Sequence, residues 1–331
     1  MILTVTPNPS IDRTVVLPGT LTRGAVHRAD SVLFQPGGKG VNISRACVAA
    51  GVPTVAVLPV AAGDAFVAEL AQLGVEVRPA PPTGPMRINL TITEPDGTTT
   101  KINTAGASVG RSDLAHLAEI VLDAAASVRP RWVVLAGSLP PGAPADWYAQ
   151  IGAALRSDGH RFAIDTSEEP LTALLAAGGP AAPDLIKPNA EELASATGGD
   201  PVLFEADPEA AATAAARLVG TSAGIVLATL GAAGAVLVDG EGAWHATPPP
   251  TTVVSTVGAG DASLCGYLLA DIRGASAPER LATAVAYGAA AAGLPGTTPP
   301  TPTDLRTAEV RVRQLDILSS PTPEGTPSWQ N

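Results

Sequence analysis

Short apolar runs of strand length alternate with longer helical patterns along most of this 331-residue chain. The clearest units pair strands at 55–60 and 75–77 with a helix at 65–73, and strands at 132–136 and 162–165 with a helix at 145–155. Strands and helices alternating at this spacing predict βαβ units and a mostly parallel sheet. Further strands are predicted at 2–6, 185–186, 225–229 and 235–239, the last continuing to 244, and further helices at 41–50, 113–125, 191–196, 208–219, 260–272 and 278–292.

One segment has a different pattern. Residues 87–93 and 98–103 alternate apolar and polar side chains, and Glu94-Pro-Asp-Gly97 between them is typical of a turn. This predicts an antiparallel hairpin with one face in water. Together with short strands at 14–17 and 32–34, it predicts a small second sheet that covers a cleft in the main one.

Composition excludes several classes of function. The hydrophobic fraction of 46% is enough for a large core, whereas the net charge of −11 and the aromatic content of 3% do not fit a nucleic-acid surface. No uninterrupted apolar run reaches the ~18 residues of a membrane span, and no signal peptide is recognised, so we expect a cytoplasmic protein without membrane contact. An anion site in so acidic a chain must gather its few cations locally.

A glycine-rich turn at 255–261 opens the most informative helix. Val253 and Val254 precede Gly258-Ala-Gly260, and an apolar helical pattern begins at Asp261. A helix start after flexible glycines is suited to binding an anion, because its first N–H groups are unpaired. Asp261 can be an N-cap, or it can be a base that deprotonates a nucleophile attacking phosphorus. The residues of this stretch alone leave both interpretations open.

Two other loops follow predicted strands. Pro36-Gly-Gly-Lys-Gly-Val-Asn42 leads into the helix at 41–50, and Gly137-Ser-Leu-Pro-Pro-Gly142 follows the strand at 132–136. Asp12 lies just after the first strand, where open α/β sheets bind ligands. A plain turn explains 137–142 equally well, with Ser138 facing a ligand as the functional alternative.

Lys187-Pro-Asn-Ala-Glu-Glu192 also has two interpretations. Asn189 and Glu192 have the spacing of a capping box, which alone explains both residues. Alternatively, Lys187 and Asn189 contact nucleotide phosphates while Glu192 holds a hydrated Mg²⁺. Arg87, at the start of the hairpin, is either a solvated surface residue or a bidentate phosphate ligand.

Competing signatures are incomplete. Gly220-Thr-Ser-Ala-Gly224 lies between a helix and a strand, the reverse of a nucleophile elbow. No Walker-type loop occurs, and Gly258-x-Gly260 lacks the third glycine of a dinucleotide fingerprint. Cys47 and Cys265 lie in apolar helical patterns and are expected to be small buried hydrophobic residues.

Taken in order, these motifs resemble those of the ribokinase-like (PfkB-type) carbohydrate kinases. The matching sequence is Asp12, Pro-Gly-Gly-Lys-Gly-x-Asn, Arg-x-Asn, Gly-Ser-Leu-Pro-Pro-Gly, Lys-Pro-Asn-x-x-Glu, Thr-Leu-Gly and Thr-Val-Gly-Ala-Gly-Asp, over about residues 1–300. The chain is most similar to the phosphosugar branch, which includes 1-phosphofructokinase, tagatose-6-phosphate kinase and the minor 6-phosphofructokinase. Lys39 favours the first two, because the third is similar to Gly-Gly-Gly-Gly at this loop.

The resemblance implies a three-layer α/β/α core with a β-sheet lid. The core would comprise residues 1–11, 37–85 and 105–316, the lid 12–36 and 86–104, and 317–331 would be a disordered tail. Lids of this kind often form homodimers, so a homodimer through the lid is expected. Ser255 stands where members with a strong monovalent-cation site tend to have aspartate, which leaves K⁺ dependence open.

The resemblance also assigns roles to individual residues. The implied catalytic group is Asp261 as base, with an anion hole from the amides of Gly258, Ala259 and Gly260. The implied nucleotide and metal ligands are Lys187, Asn189, Thr229, Gly231, Gly234, Ala284 and Gly288 for ATP, and Glu192, through water, for Mg²⁺. The implied acceptor ligands are Asp12, Gly38, Asn42 and Asn89 for the sugar, and Lys39, Arg87 and Ser138 for its phosphate.

The expected reaction is ATP-dependent phosphorylation of a ketohexose phosphate, with fructose 1-phosphate giving fructose 1,6-bisphosphate. Tagatose 6-phosphate and fructose 6-phosphate are alternative acceptors, because they differ only in phosphate position or one stereocentre. A non-catalytic sensor of sugar phosphate or nucleotide is the alternative from another class, and an intact Asp261 argues against it.

Overall fold

The computed structural model describes residues 1–317 and contains two β-sheets. The strands are β1 (Ile2–Val5), β2 (Ser10–Val16), β3 (Ser31–Gly37), β4 (Thr54–Pro59), β5 (Glu76–Ala80), β6 (Arg87–Thr93), β7 (Thr99–Asn103), β8 (Trp132–Ala136), β9 (Phe162–Asp165), β10 (Leu185–Ile186), β11 (Val226–Thr229), β12 (Ala235–Val238), β13 (Ala243–Thr247) and β14 (Arg311–Gln314). The helices are α1 (Lys39–Ala49), α2 (Ala65–Gln72), α3 (Arg111–Val128), α4 (Trp147–Ser157), α5 (Glu168–Ala177), α6 (Ala190–Thr197), α7 (Pro201–Ala206), α8 (Pro208–Ala216), α9 (Ala259–Ile272) and α10 (Ala277–Ala292).

The large sheet has ten strands in the order β14-β13-β12-β11-β10-β9-β8-β1-β4-β5. The seven strands from β11 to β5 pair in parallel, and β12, β13 and β14 add an antiparallel edge. β1 lies between β4 and β8, so the chain extends the sheet first on one side of β1 and later on the other. At such a switch point the connections leave a crevice at the carboxyl ends of the strands. This topology confirms the α/β prediction.

Helices cover both faces of this sheet. Side chains alternate between faces along each strand, so Leu3 belongs to the core cluster that includes residues of α3, α4, α6 and α8, whereas Ile2 belongs to the one that includes residues of α1, α9 and α10. The second face includes Cys47 and Cys265, both fully buried and free, with their Sγ atoms 3.4 Å apart. Both cysteines are therefore buried core residues, as expected.

The small sheet has the order β3-β2-β6-β7. It joins two antiparallel hairpins, one of them the predicted hairpin at 87–103, through a parallel pairing of β2 with β6. Its strands begin at Ser10 and reach Gly37, slightly beyond the expected segment 12–36. The sheet lies outside the large sheet as a separate element.

Some predicted elements differ. The strand expected to run from 235 to 244 is two antiparallel strands, β12 and β13, because Asp239 accepts hydrogen bonds from the amides of Glu241 and Gly242 and closes a turn. Helices α5 and α7 and strand β14 were not predicted. The expected tail of residues 317–331 lies almost wholly outside the described residues. Within residues 1–317, no helix combines the length and apolarity needed to cross a membrane.

Candidate active site

Asp261 lies in the first turn of α9, at the carboxyl-end crevice of the large sheet. The chain enters α9 through Gly258, whose φ of +80° is accessible to glycine at little cost. Asp261 is only 7% exposed, and its Oδ2 accepts a 2.8 Å hydrogen bond from Nδ2 of Asn42 on α1. Of the three amides expected to form an anion hole, that of Ala259 donates to the carbonyl of Thr256 at 3.3 Å.

A buried ion-pair cluster lies beside this helix start. Asp165 ends β9 and is fully buried, with Oδ1 2.6 Å from Nζ of Lys39 and Oδ2 3.2 Å from Nζ of Lys187. Lys187 is also next to α9, because a Cβ placed on Gly260 would lie 3.2 Å from its Nζ. The two lysines thus approach the start of α9 from α1 and from the loop after β10.

The charges of this cluster perturb one another. Burial and the neighbouring Asp165 carboxylate raise the pKa of Asp261 to about 6, although Lys39, Asn42 and Lys187 oppose that rise. Burial opposes the charged form of Lys39, but Asp165, Asp261 and Glu192 nevertheless raise its pKa above the ordinary value. Burial likewise disfavours an ionised Asp165, but the two lysines hold its pKa below the ordinary value. The site therefore combines two fixed cations with a carboxylate able to accept a proton near neutral pH.

A cleft of about 640 Å³ leads from the surface to the start of α9. Five of the residues expected to bind the nucleotide line it, together with Ala259 and Gly260; the five are Asn189, Thr229, Gly231, Gly234 and Gly288. Gly234 has a φ of +95°, and a Cβ there would overlap the carbonyl of Ala246. The cleft is large enough for a nucleotide-sized ligand.

The prediction for the adenine-facing helix is wrong in one residue. Ala284 is fully buried in the core and does not line the cleft. The side of α10 that faces the cleft consists of Val285, Gly288, Ala289 and Ala292, one residue further round the helix. Pro248, Pro249 and Pro250 also line the cleft. The sequence patterns predicted no role for these three prolines.

The Lys187-Pro-Asn-Ala-Glu-Glu192 motif forms the capping box. The side chain of Asn189 accepts from the amide of Glu192 at 2.7 Å, and Oε2 of Glu192 accepts from the amide of Asn189 at 2.9 Å. The structural interpretation of these two residues is therefore confirmed. It leaves the other carboxylate oxygen of Glu192 for a further ligand.

The small sheet brings two of the predicted sugar ligands into direct contact. Asp12 and Asn89 are register partners on β2 and β6, and Nδ2 of Asn89 donates to Oδ1 of Asp12 at 2.9 Å. The hydroxyl of Ser10 donates to the same oxygen at 2.9 Å. Burial raises the pKa of Asp12, against those two hydrogen bonds. A Cβ at Gly37 would overlap this carboxylate, which places Asp12 against the loop that contains Gly38.

Arg87 lies at the base of the small sheet. Its Nε donates to the carbonyl of Asn8 at 3.1 Å, and burial lowers its pKa while Asp12 opposes that shift. Asn8 is buried, and its Nδ2 donates to the carbonyl of Ala105 at 3.1 Å. Ser138 is half-buried in the loop after β8, and the amide of the preceding Gly137 donates to the carbonyl of Asp165 at 2.9 Å.

Lys39, expected together with Arg87 at the acceptor phosphate, pairs with a carboxylate in this structure. Its ammonium is engaged by Asp165, near Asp261 and Lys187, whereas the charged group that acts on Arg87 most strongly is Asp12. Asp165 is the residue that the sequence interpretation missed. Its position at the end of a predicted strand was the available signal, the same one that singled out Asp12.

In the described part of the chain, protein side chains alone do not preform a metal site. Within residues 1–317, no group of three or more His, Cys, Asp or Glu side chains could hold an ion. Mg²⁺ usually keeps several waters and binds through one or two carboxylates and substrate phosphates. Glu192, whose charge acts on Lys39, fits such an ion, because only one of its two carboxylate oxygens is used in the capping box.

Comparison with known proteins decides the family. The model of the pfkB family carbohydrate kinases matches residues 6–304. The chain belongs to this family. It is therefore a carbohydrate kinase, a phosphotransferase whose family uses ATP and a divalent metal ion.

Relatives of this kinase include sugar-phosphate kinases. A 1-phosphofructokinase of Rhodobacter capsulatus is 38% identical over 87% of this chain and 90% of its own length, and one of Haloferax volcanii is 34% identical over 96% and 99%. The solved structure of phosphofructokinase-2 from Escherichia coli in complex with substrates and products has a TM-score of 0.82 at 31% identity, covering 92% of this chain and 96% of that one. These similarities support a sugar-phosphate kinase.

Proposed function

We propose that this kinase transfers the γ-phosphoryl group of ATP to a ketohexose phosphate, converting fructose 1-phosphate to fructose 1,6-bisphosphate. The observation that carries the proposal is the position of Asp261. Its buried carboxylate lies in the first turn of α9, whose neighbouring residues Ala259, Gly260 and Ser263 line the 640 Å³ cleft. The charges of two lysines act on it, and Asn42 contacts it from the start of α1. The names of the relatives from Rhodobacter and Haloferax support this acceptor.

In the proposed reaction, Asp261 takes the proton of the acceptor's primary hydroxyl. The resulting oxygen attacks the γ-phosphorus, the bond to the β-phosphate oxygen breaks, and ADP leaves. The cationic ends of Lys39 and Lys187 and the amides that begin α9 stabilise the charge of the transferring group. The pKa of about 6 suits Asp261 to this role, because the carboxylate is ionised at neutral pH and still basic.

We assign the two substrates to separate groups of residues. ATP is assigned to the 640 Å³ cleft, which Asn189, Thr229, Gly231, Gly234 and Gly288 line, with Lys187 next to Gly260. The sugar is assigned to Asp12, Gly38 and Asn89, at or next to the small sheet. Arg87 and Ser138 hold the phosphate already present on the acceptor. Glu192 would hold a hydrated Mg²⁺ ion, which would neutralise charge on the phosphates.

We also propose a homodimer formed through the small sheet. Its edge strands β3 and β7 expose Leu33 (48% exposed) and Ile102 (54% exposed), and exposed apolar edges favour pairing with another strand. Light scattering of a variant with Leu33→Asp and Ile102→Asp should give the monomer mass. A dimer mass in that variant would refute this interface.

One solved form of E. coli phosphofructokinase-2 is described as tetrameric, and another as a complex with potassium.

Measuring ADP release with Asp261→Asn tests the mechanism. General-base catalysis contributes about 10²–10⁴ in rate, so kcat should fall by at least ~100-fold while both substrates still bind. Near-normal turnover would exclude Asp261 as the base. No ADP release from the wild type with any acceptor would instead favour a sensor.

Comparing acceptors tests the substrate. We expect kcat/KM for fructose 1-phosphate to exceed that for tagatose 6-phosphate and fructose 6-phosphate. The 6-phosphofructokinase isozyme 2 of E. coli, 32% identical over 89% of this chain, makes fructose 6-phosphate the relevant competitor. A higher kcat/KM with that sugar would overturn the assignment while leaving the kinase mechanism intact.

A further inference from the structure

The wall segment, residues 248–256, runs from the end of β13 toward the start of α9 and lines one side of the 640 Å³ cleft. The residues of this segment that line the cleft are Pro248, Pro249, Pro250, Thr251, Val253 and Thr256. The segment belongs to no helix or strand, and it begins with three prolines, which have no amide N–H to donate. Its carbonyl groups therefore depend on donors from other parts of the chain.

Both ends of the wall segment are attached to regular structure. It begins directly after Thr247, the last residue of β13, which is the register partner of Arg311 on β14. Near its other end, the amides of Val254 and Ser255 donate to the carbonyl of Ala292 on α10, at 2.8 Å and 3.2 Å. This second attachment lies next to the glycine turn that leads to Asp261.

Arg306 contacts the middle of the wall segment. Its Nη2 donates to the carbonyl of Pro250 and, at 3.1 Å, to the hydroxyl of Thr251. That hydroxyl donates in turn to the carbonyl of Pro249 at 3.0 Å. An arginine offers a planar fork of N–H donors and no acceptor, so it suits a prolyl segment that presents only oxygen acceptors.

The backbone around Arg306 is itself held in place. Just before it, the amide of Thr301 donates to Oδ2 of Asp304 at 2.8 Å, and just after it, the amide of Glu309 donates to the carbonyl of Arg306 at 3.0 Å. The neighbouring Leu305 packs against the core cluster of α1, α9 and α10. The guanidinium therefore extends from a fixed backbone to a segment without regular structure.

We propose that Arg306 is a positioning residue for the nucleotide: it holds the wall segment at 250–251 in the place where the wall contacts the adenosine part of ATP. This inference rests on the proposed function, because it needs ATP in this cleft. The phosphates are assigned to Lys187 and the start of α9, which leaves the adenosine part for the prolyl end of the wall. Arg306 acts through the wall segment, because it does not itself line the cleft, and it lies beyond the residues 6–304 that the family model matches.

This role separates nucleotide binding from turnover. When the binding-competent arrangement is only partly populated, the apparent affinity falls by that fraction. Without Arg306, the middle of the wall segment is in place only part of the time, so the KM for ATP rises. The glycine turn before Asp261 keeps its own attachment through Val254 and Ser255, so kcat and the KM for the acceptor stay the same.

Steady-state kinetics of Arg306→Ala and Arg306→Lys test the proposal, with MgATP and whichever of fructose 1-phosphate and fructose 6-phosphate has the higher kcat/KM. In Arg306→Ala the KM for ATP should rise roughly 5- to 20-fold, with kcat and the acceptor KM within about twofold of the wild type. Arg306→Lys keeps the charge and loses the fork, so it should restore the KM for ATP only in part. Full restoration in Arg306→Lys would show that charge alone matters, and the proposal fails.

Inhibition by adenosine separates a displaced wall from a direct effect of charge on the phosphates. Adenosine has no phosphate, so the loss of a distant positive charge does not change its inhibition constant. A displaced wall raises that constant by about the same factor as the KM for ATP. An unchanged inhibition constant in Arg306→Ala, together with a raised KM for ATP, would refute the proposal.

Arg313→Ala is the matched control. Arg313 lies on β14, close in sequence to Arg306, and its exposed side chain pairs with Glu209 on α8, with Nη1 2.6 Å from Oε1. Neither residue of this pair lines the cleft. The substitution removes the same charge, so the KM for ATP should not change. A rise in Arg313→Ala as large as that in Arg306→Ala would refute the assignment to Arg306.

Limited proteolysis with thermolysin, which cleaves before large apolar residues, reports on the wall segment directly. Val253 and Val254 are exposed, and cleavage follows the population in which a segment is open. Without ligand, Arg306→Ala should be cleaved at 253–254 several-fold faster than the wild type and Arg313→Ala. Equal rates would refute the proposal.

The same assay distinguishes the two levels of the inference. MgATP should slow cleavage at 253–254 in the wild type. If it does so, and Arg306→Ala matches the wild type in kinetics and in cleavage, only the role of Arg306 is wrong. If MgATP does not slow cleavage in the wild type, ATP does not bind against this wall, and the assignment of ATP to the cleft fails.

Discussion

Replacing Asp261 with asparagine should stabilise the fold while it abolishes turnover. The folded protein raises the pKa of this carboxyl from 3.8 to about 6, because burial and Asp165 disfavour its charge. Asparagine is neutral, has nearly the same shape, and can still accept the hydrogen bond from Asn42. It therefore imitates the protonated side chain, which the folded state prefers.

The size of the effect follows from the difference between the two pKa values. A shift from 3.8 to about 6 corresponds to about 3 kcal/mol at 1.36 kcal/mol per unit. Since the folded pKa is the higher one, the contribution of this carboxyl to the stability of the wild type is fully present below pH 3.8 and is lost as pH rises through about 6. The advantage of Asp261→Asn should thus be about 3 kcal/mol at pH 8 and about 1.6 kcal/mol at pH 5.

Urea unfolding of the two proteins at pH 8 and pH 5 measures this difference directly. For a chain of this length, about 3 kcal/mol corresponds to roughly 4 °C in Tm. Asp123→Asn, an exposed substitution on α3 that removes the same charge, should change stability by less than about 0.5 kcal/mol. The reasoning is refuted if Asp261→Asn is no more stable than the wild type at pH 8, or if its advantage is as large at pH 5.

Three other outcomes are expected. With saturating substrates, kcat should fall about tenfold between pH 7 and pH 5, because Asp261 with a pKa of about 6 is then mostly protonated; a flat profile would contradict its role as base. Arg87→Ala should raise the KM for the sugar phosphate roughly 10- to 100-fold in steady-state assays, because a charge-assisted contact with its phosphate is lost, and should leave the KM for ATP nearly unchanged. Equal effects on the two KM values would show that Arg87 does not bind the acceptor phosphate. Gly266→Ala should destabilise the protein by about 1–3 kcal/mol in urea unfolding, because its Cβ would lie 2.7 Å from the carbonyl of Thr283 where α9 packs on α10. Gly240→Ala, which has open space around it, should not destabilise the protein. Equal stability of the two variants would exclude a tight contact between the helices.

Much of the large sheet was predictable from local patterns. The strands at 132–136, 162–165 and 185–186 begin and end where their apolar runs do, since buried parallel strands are apolar on both faces. The hairpin at 87–103 was predictable because its alternating apolar and polar residues and the turn sequence between them both indicate two antiparallel strands. The split of β12 and β13 was missed, because the turn at 239–242 interrupts a run that is otherwise continuously strand-like.

The site was predictable in its motifs and less so in its contacts. Asp261, Asn89 and Asp12 lie where their motifs place them, because a glycine turn and a strand end each fix local geometry. The partner of Lys39 was not predictable, since Asp165 is 126 residues away and no local pattern links them. The side of α10 that faces the cleft was misjudged by one residue, because an alanine-rich helix has no contrast between its faces.

The parallel pairing of β2 with β6 has a consequence for how the protein assembles. Asp12 and Asn89 are 77 positions apart, and β4, β5, α1 and α2 lie between them. Parallel neighbours cannot be joined by a tight turn, so the acceptor-facing sheet forms only after this intervening unit has folded and brought its ends together. During synthesis, all four strands of this sheet have been made once residue 103 has emerged. The residues that line the nucleotide-facing wall of the cleft begin at Asn189 and are made later. We therefore expect an early folding intermediate in which the acceptor-facing sheet is already formed, before Asp261 and the nucleotide-facing wall have been added.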